Sequence, residues 1–88
     1  MAILIKANGR KKTVSPDNNT DFSLKELQKY VGGSIQMVQT KDDRVIVMNE
    51  EGKIKKLLPN KRATKLYEYG EYDYIVGDVL VVQKNQIK

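Results

Sequence analysis

Anions are gripped where backbone amides, side-chain amides and guanidinium groups converge, typically at strand ends and helix starts. Asn49, Asn60 and Arg62 stand at such places. Asn49 closes the apolar run Arg44–Met48, and Asn60 follows Pro59 at the start of a helical turn. Arg62 carries a planar fork that meets a phosphate or carboxylate with two parallel hydrogen bonds. These three are the expected ligand-binding residues. The competing reading is that both asparagines only close turns and cap a helix.

A second constellation overlaps the first. Between residues 53 and 65 lie Lys53, Lys55, Lys56, Lys61, Arg62 and Lys65, with no carboxylate among them. Tyrosines 67, 69, 72 and 74 follow. Cations beside aromatic rings can track a nucleic-acid backbone and stack its bases. Lys53, Lys55, Lys56, Lys61, Lys65, Tyr67 and Tyr69 therefore form the alternative, nucleic-acid site. Against it, Glu68, Glu71 and Asp73 interrupt the tyrosines and would repel phosphates, and no sheet-type RNA-binding signature is present. A solvated basic face is the simpler account of the lysines.

Other chemistries are excluded by what the 88 residues lack. There is no histidine and no cysteine, so imidazole bases, thiolate nucleophiles, disulfides and Cys/His zinc sites are unavailable. The adjacent carboxylates Glu50–Glu51 and Asp42–Asp43 sit in turn sequences, where no apolar pocket would raise a pKa. We expect no enzyme, no catalytic residue, no metal site and no cofactor. Sixteen basic and 11 acidic residues leave a net charge of +5, which suits nucleic acid, nucleotide phosphates or an acidic protein as partner. The apolar N-terminal run is too short for a signal peptide or a membrane span, so no membrane partner and a cytoplasmic location are expected.

The elements that must position these residues read as one domain over residues 1–83 with a flexible basic tail at 84–88. Ala2 to Lys6 is apolar on both alternating faces, an interior strand, and Asn8-Gly9 is a hairpin turn into a polar edge strand from Lys11 to Val14. Ser23-Leu-Lys-Glu26 is a capping box that opens a helix, with Phe22 and Leu27 as its hydrophobic staple. Leu24, Leu27, Tyr30 and Val31 share its apolar face, and Gly32-Gly33 ends it. Ser34 to Thr40 and Arg44 to Met48 form an antiparallel hairpin, and Asn49-Glu-Glu-Gly52 makes a turn closed by a left-handed glycine. A basic strand or strand end is expected from Ile54 to Leu58, then an Asn60-capped turn to Lys65. The tyrosine segment favours a twisted hairpin with cross-strand aromatic pairs, and Asp78 to Gln83 is a Val-rich interior strand. The sum is α+β: a mostly antiparallel sheet of five or six strands with one amphipathic helix on one face. The other face is also apolar, so either the tyrosine segment or a second subunit covers it; a homodimer is expected.

Val31-Gly-Gly33, Asn49-Glu-Glu-Gly-Lys53, Leu58-Pro-Asn-Lys-Arg62 and Ile75-Val-Gly77 before a terminal apolar strand resemble a family of small uncharacterised proteins. That family is common in phages, prophages and mobile elements of Gram-positive bacteria. The likeness runs from about Leu24 to Val82. The family's usual Leu-Pro-x-Asn-Arg appears here with Lys61 between Asn60 and Arg62. The resemblance implies a phage or prophage accessory protein and supplies no activity. Combined with the polar turns, it suggests binding of a small phosphorylated, nucleotide-like ligand or a host protein.

Overall fold

The most apolar stretches of the chain become the innermost strands, because only they can be buried on both sides. The computed structural model describes residues 2–87; Met1, at the start of the expected domain, and Lys88, at the end of the expected tail, lie outside the described residues. Five strands form one antiparallel sheet: β1 (Ala2–Ile5), β2 (Lys11–Val14), β3 (Ile35–Gln39), β4 (Val45–Asn49) and β5 (Val79–Val82). Their order is β2-β1-β5-β4-β3, which places Val-rich β5 at the centre and polar β2 at an edge. Helix α1 (Leu24–Val31) and helix α2 (Lys61–Leu66) complete the α+β architecture.

Alternation along the strands divides the core in two. Ala2, Leu4, Val47, Leu80 and Val82 pack with Phe22, Leu27 and Val31 on the α1 side. Ile5, Ile46, Val79 and Val81 pack with Ala63 and Ile75 on the α2 side, where Leu66 and Tyr67 add partly buried surface. The second face, expected to be left for the tyrosine segment or a second subunit, is covered jointly by α2, through Ala63 and Leu66, and by the segment that follows it, through Tyr67 and Ile75.

Helix α1 is fixed locally at both ends. The Ser23 Oγ accepts from the Glu26 amide at 3.2 Å, and the Glu26 carboxylate accepts from the amides of Ser23 and Asp17 at 3.0 and 2.9 Å. These backbone donors hold the Glu26 carboxyl below its usual pKa. At the other end Gly32 is left-handed, with φ 82°, and its amide donates to the Gln28 carbonyl. Phe22 meets Tyr30 edge-on at 6.3 Å, so the staple also orders the last turn.

Five local expectations are corrected. Leu24 does not join the buried face; it is 59% exposed in the first turn. Gly52 closes its turn without a left-handed φ; it is a glycine because a Cβ would lie 2.7 Å from the Val76 side chain. Residues 51–56 are consecutive turns rather than a strand: the amides of Lys55, Lys56 and Leu57 bond to Glu51, Lys53 and Gly52, and Lys56 takes φ 57°. The tyrosine segment is likewise coiled on itself, Tyr69 accepting from both Tyr72 and Asp73, and Tyr67 meets Tyr69 locally rather than across strands. Residues 84–87 do not form a loose tail. Lys84–Gln86 is a 3-10 turn, Gln86 is buried, and its carbonyl accepts from the Phe22 amide at 2.7 Å.

Leu27→Ala should cost about 2–5 kcal/mol, because a buried side chain is deleted from the α1 core. Ser23→Ala should cost about 1 kcal/mol through the lost cap. Leu24→Ala should change stability by less than about 0.5 kcal/mol. Urea denaturation of the three variants checks this ranking, and equal losses at Leu24 and Leu27 would contradict the buried face described.

Candidate functional site

Asn60 is fully buried, and every polar atom of its side chain is engaged. Its Nδ2 donates to the carbonyls of Ile5 at 2.9 Å and Gly77 at 2.8 Å, while its Oδ1 accepts from the Ala63 amide at 3.1 Å. Its own amide donates to the Ile75 carbonyl. One amide therefore caps α2 and ties it to the end of β1 and to the strand-like segment before β5. Thr64 extends the tie, its Oγ1 donating to the Asn60 carbonyl and accepting from the Ile75 amide.

This anchoring lays α2 across the sheet beside β1 and β2. Between them opens a cleft of about 510 Å³ lined by Ile3, Ile5, Lys11, Arg44, Arg62, Lys65 and Leu66. Ile5 pairs with Lys11 in the β1–β2 register, so Lys11 stands on the same face as the isoleucines. The floor is apolar and the rim carries four cations with no lining carboxylate. Arg44 is already engaged: its Nε donates to both Asp42 oxygens at 3.0 Å, and its Nη2 lies 2.7 Å from Oδ2. Among the described residues, Lys11, Arg62 and Lys65 have no ion-pair partner.

The expected site residues do not all converge. Arg62 lies on the cleft rim. Asn60 is adjacent but faces inward, spent on backbone. Asn49 belongs to the other side of the sheet, where its Nδ2 donates to the Val31 carbonyl at the end of α1 and its Oδ1 accepts from the Glu51 amide. The basic run is divided as well. Lys53 is paired with Asp73 and sits 4.5 Å from the centre of the Tyr74 ring, and Lys55 reaches Glu51 at 3.9 Å. The Lys53–Asp73 pair raises the lysine pKa and lowers that of the aspartate. Lys53 and Tyr67 line a separate hollow with Glu50 and Asp73, Lys56 lies in the same series of turns, and Tyr69 packs edge-on against Tyr67. Lys61 and Lys65 alone travel with Arg62 on α2.

The residue missed from sequence is Lys11, with its neighbours Lys6, Arg10 and Lys12. Their signal was present: no acidic residue precedes Asp17. What sequence could not provide was the long-range placement of α2 against that hairpin.

Among the described residues no three His, Cys, Asp or Glu side chains are grouped as a metal ion would need. No helix among them is long and apolar enough to cross a membrane. The model of a family described as a domain of unknown function, DUF3846, matches residues 1–87. The chain belongs to this family. The match spans both α1 and α2, so the cleft and its anchoring asparagine lie within the family's domain. No curated protein and no solved structure matches the chain.

Two outcomes follow from these bonds. Asn60→Ala should destabilise by on the order of 3 kcal/mol, since it strips the cap and leaves two carbonyls without their donor. Asn60→Asp, which keeps the cap acceptor but turns an oxygen toward both carbonyls, should not restore stability in the same denaturation series. The second outcome concerns acid. Arg44 first, then Thr40, lowers the Asp42 carboxyl from an ordinary 3.8 to about 2. A depressed carboxylate contributes stability above its unfolded pKa and loses it as pH falls through the folded one, here between about pH 4 and pH 2. Acid titration of Asp42→Asn should therefore show a shallower stability loss across that window than the unaltered chain.

Proposed function

We propose that this chain is a non-enzymatic binding protein that takes a small phosphorylated, nucleotide-like ligand in the cleft beside α2. One observation carries the proposal: an apolar floor of Ile3, Ile5 and Leu66 is ringed by the unpaired cations Lys11, Arg62 and Lys65, with no carboxylate in the lining. Anionic and apolar recognition are thereby offered side by side, as a phosphate joined to a flat organic body requires. The volume lies within the usual range for small-ligand sites. Arg62 supplies the bidentate grip, and the lysines supply charge.

The resemblance to small phage and prophage proteins supports an accessory role in the host cytoplasm, in host takeover or counter-defence. A host protein remains the competing partner, and its natural surface would be the apolar side chains held out on the loops, Ile54, Leu58 and Tyr72. A homodimer would draw on the same loops, since neither sheet face is left bare.

Calorimetric titration with nucleoside mono- and diphosphates tests the cleft. Arg62→Lys should weaken binding by roughly tenfold to a hundredfold, because lysine cannot reproduce two parallel charged hydrogen bonds. Lys53→Gln, outside the cleft, should leave affinity unchanged. Wild-type affinity in both Arg62→Lys and Arg62→Ala would overturn the assignment.

A further inference from the structure

The cleft continues into two neighbouring concavities. It shares Lys11 with one of about 260 Å³ around the β1–β2 hairpin, lined by Lys6, Arg10, Lys11 and Lys12. It shares Arg62 with another of about 390 Å³, where Asn8 and Gly9 of the hairpin turn meet Lys61 at the start of α2. No carboxylate lines any of the three. Of the acidic groups nearby in the fold, Asp42 is paired with Arg44 and Asp78 accepts from the Ala7 amide at 3.0 Å, while Glu68 and Glu71 follow the C-terminal end of α2 and line none of the three. Seven cations on the hairpin and α2 thus have no ionic partner among the described residues.

We infer that the three concavities form one track for single-stranded nucleic acid. One base rests over the aliphatic floor, and the backbone passes Arg62 and crosses the β2 edge toward Lys12. This rests on the anion-binding reading of the cleft and names its ligand class. A mononucleotide fills one concavity and leaves most of the seven cations unneutralised. Gathering like charges on two elements is unfavourable without an extended counter-charge, which a polyphosphate backbone provides while releasing its own counterions.

The strand register selects the kind of nucleic acid. Lys11 pairs with Ile5 and faces α2, whereas Lys12 pairs with Leu4 and faces the α1 side. The track therefore bends round the edge of the sheet within two residues. A duplex is stiff over a persistence length of about 50 nm and does not follow such a bend, but a single strand does. The floor lacks an aromatic platform, so affinity comes mainly from phosphate contacts, and the binding is sequence-tolerant and strongly salt-dependent.

Fluorescence anisotropy with thymidine monophosphate, oligothymidylates of increasing length, and a mixed-sequence strand alone or in its duplex tests the track. Affinity should rise with strand length before levelling, and the duplex should bind more weakly than the single strand. Each of Lys6→Gln, Arg10→Gln and Lys12→Gln should lower the slope of log affinity against log salt by about 0.7 while leaving monophosphate binding unchanged. Lys55→Gln, outside the track, should leave that slope unaltered. All four side chains are exposed, so the variants should stay folded, which thermal melts check. Equal affinity for the monophosphate and the long strands, with silent hairpin variants, would overturn the track and leave the cleft standing. Tighter duplex binding would overturn the single-strand assignment, and binding of neither probe would overturn track and cleft together.

Discussion

The Asn60 side chain offers two donors and one acceptor in a compact planar group, and this fold consumes all three. The donors go to carbonyls at the end of β1 and just before β5, the acceptor to the first turn of α2. These partners are 55, 17 and 3 residues away in sequence, so one buried amide closes contacts at three ranges. Aspartate has the acceptor without the donors, and serine has too few groups for the three partners. Helix α2 has only six residues, too short to persist on its own propensity. Its position, and with it the position of Arg62 and Lys65, is inherited from Asn60.

The two sides of the sheet are stabilised in different ways. On the α1 side, a capped amphipathic helix buries Leu27, Val31 and Phe22 against β1, β4 and β5, and the hydrophobic effect dominates. On the α2 side, a short helix contributes mainly Ala63, with Leu66 and Tyr67 partly buried, and a polar network does the positioning. A small residue at the contact allows close approach, while longer side chains at either flank leave open space. The cleft is the result. The surface ion pairs Lys53–Asp73 and Lys84–Asp43 join side chains that are about half exposed or more, and such pairs add at most about 1 kcal/mol each.

Most of the architecture was legible because it is written locally. The capping box at Ser23, the two-sided apolar runs of β1, β4 and β5, and the lysines of β2 each specify an element from a few adjacent residues. The Asn60-capped turn was legible for the same reason, since a cap acts across three residues. Failure came where local pattern and long-range packing disagree. Residues 54–58 look apolar enough for a strand, but only Leu57 among them is even half-buried; Ile54 and Leu58 are 81% and 71% exposed. Asn49 and Asn60 looked alike in sequence, as polar residues at element ends, yet they face opposite sides of the sheet. Distinguishing them required the strand alternation and the side of the sheet that α2 takes, and the second of these is a tertiary fact.

The charge on β2 has a competing explanation. Edge strands expose unpaired backbone groups, and lysines on them discourage edge-to-edge association. Lys11 and Lys12 on β2 fit that role without any ligand. The opposite edge, β3, reads Ile-Gln-Met-Val-Gln with no charge, and beyond its end Thr40 is bridged by Tyr67. The chain thus protects one edge with charge and closes part of the other with a loop. Edge protection accounts for Lys11 and Lys12, but not for Lys61, Arg62 and Lys65, which lie on a helix and not on an edge strand, nor for the absence of carboxylates from all three adjoining concavities. A chain with 11 acidic residues has ample means to neutralise those cations, as it does at Arg44, Lys53, Lys55 and Lys84. Lys25, Lys29, Lys41 and Lys56 are also without an ion pair among the described residues. Only the hairpin and α2, however, gather seven such cations around adjoining concavities that no carboxylate lines, the pattern of an anion-binding surface rather than of a uniformly solvated one.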